Sequence, residues 1–153
     1  MDKKYLEKAL IKRVILAETP LLSRPCEGIA SLMIKRNNLR EYELECFIYG
    51  DETKKFKKGE TILVRLVLTN WAWKNEKLER EEQSIRLIPK KGIVVKGKIV
   101  DTLESKYEDS YDAIIDCGIY VKARVLKSQN FRLGDYIQAE GRLDAFKVEQ
   151  EDE

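Results

Sequence analysis

Hydrophobic and polar positions alternate most cleanly towards the C-terminal end of the chain. Ile137, Ala139, Gly141 and Leu143 interleave with Gln138, Glu140, Arg142 and Asp144, the period-2 mark of a half-buried β-strand. The surrounding stretch FRLGDYIQAEGRLDAF, Phe131 to Phe146, has a forerunner in FKKGETILVRLVLTNW, Phe56 to Trp71. Phe131 answers Phe56, Gly134 answers Gly59, Asp135 answers Glu60 and Ile137 answers Ile62, all at an offset of 75 residues. A repeat of this size predicts two copies of one small β-domain.

The same patterning predicts the other elements. Asp2 to about Arg13 reads as a short amphipathic helix, with Tyr5, Leu6, Ala9 and Leu10 on one stripe and Asp2 as its N-cap. RVILA, from Arg13 to Ala17, reads as a first strand, and the proline-containing stretch up to Gly28 as a loop. Strands follow at Ile29–Lys35 and Tyr42–Tyr49; in the latter, Tyr42, Leu44, Cys46 and Ile48 share one face. The strand Thr61–Trp71 is apolar on both faces, so its outer face needs a cover, the helix or the second copy. SIRLI, from Ser84 to Ile88, supplies a fifth strand, and Pro89-Lys90-Lys91 a linker. Beyond it, Gly92–Leu103 alternates, and Tyr111–Asp116 and Ile119–Leu126 form a hairpin turning at Cys117-Gly118. The predicted division is residues 1–88 for the helix and first barrel, 92–148 for the second, and 149–153 for an acidic tail.

Composition narrows the chemistry. At 153 residues and 43% hydrophobic the chain can bury a core. There is no histidine, and the three cysteines, Cys26, Cys46 and Cys117, form no CxxC. Zinc sites and histidine-based catalysis are therefore not expected, and Cys46 and Cys117 read as small buried hydrophobes. No apolar run reaches the roughly 18–20 residues that span a bilayer, and the charged start lacks a signal-peptide core. A soluble cytoplasmic protein without membrane contact is the expectation. Lys and Glu abound while Asn and Gln are sparse, a balance that leans towards a thermophilic source. Residues 1–91 carry 20 Lys/Arg against 14 Asp/Glu, and residues 92–153 carry 9 against 13. The first half is thus the better partner for a polyanion.

Each unit reads as long strand, hairpin, short connection and closing strand. That is the order of the oligonucleotide/oligosaccharide-binding (OB) fold, a five-stranded Greek-key barrel. The fold class expected is all-β, tandem OB-like barrels with a short N-terminal helix. Gly97, the DCGIYVKA turn with Asp116 and Gly118, and LGDYIQAEGRL with Gly134, Asp135, Gly141 and Arg142 resemble replication protein A small-subunit domains and related single-stranded-DNA-binding proteins. The resemblance covers about residues 92–148. The chain departs from the family in its DCG turn and in lacking a fifth strand after Leu143.

The resemblance implies a single-stranded nucleic-acid-binding or genome-maintenance protein whose ligand crosses the face of strands 2 and 3. In the first unit that places Lys35, Arg36, Arg40, Phe47 and Tyr49 on or near the face, and Trp71, Trp73, Lys74 and Lys77 at the hairpin after the fourth strand. Rings stack on bases while cations neutralise phosphates. Alternatively, Trp71 and Trp73 are buried in a seam and Phe47 lies under the helix. The run Lys54-Lys55-Phe56-Lys57-Lys58 is either a backbone clamp or a solvated loop with one anchoring ring. In the second unit Tyr120, Lys122 and Arg124 form an aromatic-basic row flanked by Asp112, Asp116, Glu104, Glu108 and Asp109, which suits a protein contact better. No catalytic motif, metal site or cofactor fingerprint is present, so no enzyme is expected. The competing class is a protein-interaction module. Because the second unit lacks a closing strand, its edge beside residues 136–146 is expected to pair with another copy or a protein partner.

Overall fold

The computed structural model describes residues 4–17, 27–36 and 40–149. Among them the fold is all-β: ten strands and three single 3-10 turns. The strands are β1 Glu7–Leu16, β2 Gly28–Arg36, β3 Arg40–Ile48, β4 Thr61–Asn70 and β5 Glu76–Lys77, then β6 Ser84–Ile88, β7 Gly92–Glu104, β8 Ser110–Asp116, β9 Tyr120–Leu126 and β10 Tyr136–Lys147. No helix among the described residues is long and apolar enough to cross a membrane.

The helix expected from Asp2 to Arg13 is instead strand from Glu7 onward, while Asp2 lies outside the described residues. Ala9 and Ile11 are buried and Leu10 is exposed, so a period of 2 governs and not the helical stripe. The reason is pairing on both sides. Ala9 lies opposite Ile34 of β2 and Ile62 of β4, and β-branched Ile11, Val14 and Ile15 favour the extended chain.

The chain forms two compact units, one of residues up to Leu66 together with those from Leu143 on, the other Val67–Arg142. In the first, β1 pairs with β2 and with β4, β2 pairs with β3, and β3 lies parallel to β10 through Phe47 and Asp144. The Val148 N–H donates to the Leu63 carbonyl at 2.9 Å, bringing the segment after β10 back against β4. Numbered by role, the strands run 1-2-3-5-4-1. Ile11, Leu32, Ile34, Ile48 and Val64 fill the interior.

In the second unit β7 pairs with β8 and with β10, and β8 pairs with β9. β9 lies parallel to Val67 and Leu68, the end of β4. Gly141 of β10 sits directly against the backbone of Thr69 and Asn70. The role order is again 1-2-3-5-4-1, around Ile99, Ile115, Ile119 and Ile137.

Two expectations change here. SIRLI does not close the first unit: Pro89-Lys90-Lys91 is a hairpin turn, and β6 folds back along β7 from Ile88 opposite Gly92 to Ser84 opposite Lys96. A neighbour three residues away in sequence wins over a distant one because its loop closes at lower entropic cost. Nor is the edge beside residues 136–146 open. β10 pairs with β7 over Tyr136–Gly141, with β5 at Ile137 and Gln138, and with β3 at Asp144. The place of the fifth strand missing after Leu143 is taken by the end of β4, Val67–Asn70.

The turns before the two long strands share their bonding. Gly59 donates to the Ile11 carbonyl at 2.8 Å, and the Ile11 N–H donates to the Glu60 carbonyl at 2.9 Å. Gly134 and Asp135 make the same exchange with Ile99, at 2.9 Å each way. Both glycines have φ near +90°, a conformation that side-chain-bearing residues avoid.

Candidate nucleic-acid interface

The basic and aromatic residues predicted in the first unit do not converge on one open surface. Lys35 is exposed and paired with Glu41 at 3.2 Å. Arg36 lies opposite Arg40, where β2 and β3 meet. Phe47 and Tyr49 are half-buried, 5.0 Å apart edge to face, and Tyr49 stacks on Phe146 at 5.5 Å. The Tyr49 hydroxyl donates to buried Asp144 at 3.2 Å. These contacts occupy the rings within the protein. Lys54 and Lys55 lie in a 3-10 turn, Lys55 donating to Glu52 at 2.7 Å, and Phe56 is 4% exposed as the anchor between Lys55 and the exposed Lys57 and Lys58.

The second unit holds the more open set. Trp71 and Trp73 follow β4 in a 3-10 turn and are 62% and 64% exposed. Neither is buried. Ala72 between them is buried, and a tight turn anchored by its middle residue directs the flanking side chains outwards. The two indoles lie 6.2 Å apart at 54°, and the Lys74 ammonium stands 5.2 Å from the Trp73 ring. Such a cation contributes by electrostatic attraction to the ring face.

Asparagines bracket this turn and tie it to β9. Asn70 and Asn75 both donate to the Arg124 carbonyl, at 3.0 and 2.9 Å, and the Arg124 N–H donates to Asn70 at 3.1 Å. Asn70 also donates to the Asn75 side chain at 3.0 Å. Gln129 donates to the Asn75 carbonyl at 3.2 Å. From β9 the Arg124 guanidinium reaches over Tyr107 at 4.3 Å and donates to Ser110 at 3.0 Å. Lys106 lies 5.3 Å from the same ring. Tyr120, Lys122 and Arg124 alternate with buried Val121, Ala123 and Val125, so they share the outward side of β9.

Carboxylates meet four cations of this unit. Lys74 pairs with Glu140 at 3.8 Å, Lys77 with Asp135 at 3.7 Å, Lys122 with Asp112 at 3.8 Å and Arg124 with Asp109 at 3.4 Å. Sequence reasoning found the tryptophans and the β9 row but put them in different units, and it missed Tyr107, Lys106 and the two asparagines. Asn70 and Asn75, flanking a Trp-Ala-Trp-Lys segment as turn-forming residues, were the available signal.

The two described cysteines are free and buried. Burial, then the carboxylates of Asp144 and Glu45, push the Cys46 thiol up to about 12, which leaves it inert at neutral pH. Cys26 lies outside the described residues. No known protein family matches the chain, and no curated protein or solved structure is significantly similar to it.

Proposed function

We propose that this chain is a single-stranded nucleic-acid-binding protein made of two repeated barrels of OB type, with the grip in residues 67–142. The observation that carries the reading is the exposed pair Trp71 and Trp73 beside Lys74, held on β9 next to Arg124 and Tyr107. Large aromatic faces left open to water are unusual, and bases stack on them whatever their sequence. The OB assignment is supported by the 1-2-3-5-4-1 strand order in both units, with the 3–5 neighbours parallel. The repeat is supported by the matching bonds at Gly59 and Gly134.

Titration of a labelled single-stranded oligonucleotide into the intact protein tests this. Binding is expected, and Trp73→Ala should weaken it by about 1–3 kcal/mol if a base stacks there. No binding at low salt would overturn the reading.

A second reading, a protein-docking module, is favoured by a different observation. Ile15 and Ile29 are cross-strand neighbours, 51% and 46% exposed, with Leu16 beside them at 53%. Such adjacent exposed aliphatics mark contact surfaces.

A further inference from the structure

The geometry points to a site that takes the faces of unpaired bases and gains almost nothing from the phosphates that join them. This inference rests on the nucleic-acid reading above and names the part of the ligand that the site in residues 67–142 uses. Its basis is the pairing of charge within residues 67–142. Lys74, Lys77, Lys122 and Arg124 each already have a carboxylate at 3.4–3.8 Å. A phosphate arriving at any of them would replace one anion with another. It would also stand within a few ångströms of Glu140, Asp135, Asp112 or Asp109. The attraction to the cation and the repulsion from its displaced partner act over similar distances and largely cancel.

Residues 67–142 hold 14 Lys/Arg against 12 Asp/Glu, so no strong general field makes good the loss. The rings, by contrast, stay open: Trp71 and Trp73 keep more than half their surface in water, and Tyr107, with Arg124 over its ring, is still 47% exposed. Lys106, beside the Tyr107 ring, and Lys127, three residues after Arg124, are exposed cations with no ion pair among the described residues. Two phosphate contacts through them give a salt slope of about −1.4 at roughly −0.7 per contact. Once salt screens those two contacts, a backbone without charge should bind nearly as well as a natural one.

The test uses the intact protein, a phosphodiester oligothymidylate and its methylphosphonate counterpart of equal length, each at low and moderate salt. The expected result is affinities within about threefold of one another at moderate salt, and a phosphodiester salt slope no steeper than about −1.4. Trp73→Ala should weaken both oligomers by roughly 5- to 150-fold. Glu140→Gln, which releases Lys74, should steepen the slope for the phosphodiester alone, and an unchanged slope in that variant would overturn the role given to the carboxylates. Binding of the phosphodiester but not the methylphosphonate, with a slope of about −2 or steeper, would overturn this inference and leave nucleic-acid binding standing. Binding of neither oligomer would overturn the functional reading itself.

Discussion

Asn75 donates its side-chain amide to the main-chain oxygen of Arg124 at 2.9 Å, across 49 residues of chain. Asn75 is 6% exposed, so this bond is made away from water and holds the Trp71–Lys74 turn against β9. Replacing Asn75 with alanine removes a buried donor and strips the Asn70 amide of its side-chain acceptor. The expected loss is about 1–3 kcal/mol of stability, read by urea unfolding. Unchanged stability would mean that the turn is held by other means.

Trp73→Ala should behave in the opposite way. The ring is exposed, so stability should move by less than about 0.5 kcal/mol. Intrinsic fluorescence of the free protein should be red-shifted and readily quenched by acrylamide. A blue, quencher-resistant emission would contradict the exposure on which the site depends.

Glycine replacements separate two kinds of constraint. At Gly134 a methyl group meets open space, and only the positive φ opposes it, so Gly134→Ala should cost about 1–2 kcal/mol. At Gly141 the same methyl group would run into the Thr69 carbonyl, which is backbone and cannot rotate away. Gly141→Ala should therefore be the more damaging of the two in thermal or chemical unfolding. Equal effects would argue against the close passage of β10 along Thr69.

Cys46 makes a pH dependence. Its thiol ionises near 9.0 when unfolded and near 12 when folded. The folded state thus disfavours the thiolate, and its advantage is complete below pH 9 and fades as the pH rises towards 12. Stability of the wild-type protein should fall over that window more steeply than that of Cys46→Ala. Iodoacetamide at pH 8 should label Cys46 only after unfolding, and rapid labelling of the native protein would show the burial to be wrong.

Much of the local structure was legible in the sequence. Ile62 and Ile137 are buried as the alternation requires, at 7% and 0% exposure, and the Cys117-Gly118 hairpin lies where the glycine places it. What alternation cannot supply is the neighbour: it tells which side of β4 faces inwards and not that Val67 lies beside Lys122, 55 residues away. The N-terminal strand was hidden because Tyr5, Leu6, Ala9 and Leu10 satisfy a helical stripe, and only pairing with β2 and β4 decides the matter. The tryptophans were legible as candidates, but their exposure was not, since large rings usually go inside. The pairing of Lys74, Lys77 and Lys122 with carboxylates was invisible too, because most of the partners lie far apart along the chain.

The cut in the chain that its composition invites, near Pro89, is the wrong one to make. A fragment ending there would lack the Leu143–Val148 segment that neighbours β3 and Leu63, and the complementary fragment would lack Val67–Asn70. Residues 67–142, by contrast, are an uninterrupted segment that forms one compact unit by itself. Expressed alone, that segment should fold and keep its tryptophan turn, whereas fragments 1–91 and 92–153 should each be unfolded by circular dichroism. The same arrangement sets an order of events at the ribosome. The inserted unit is fully synthesised while the other still waits for its closing strand, so the part of the protein that begins first is the part that finishes last.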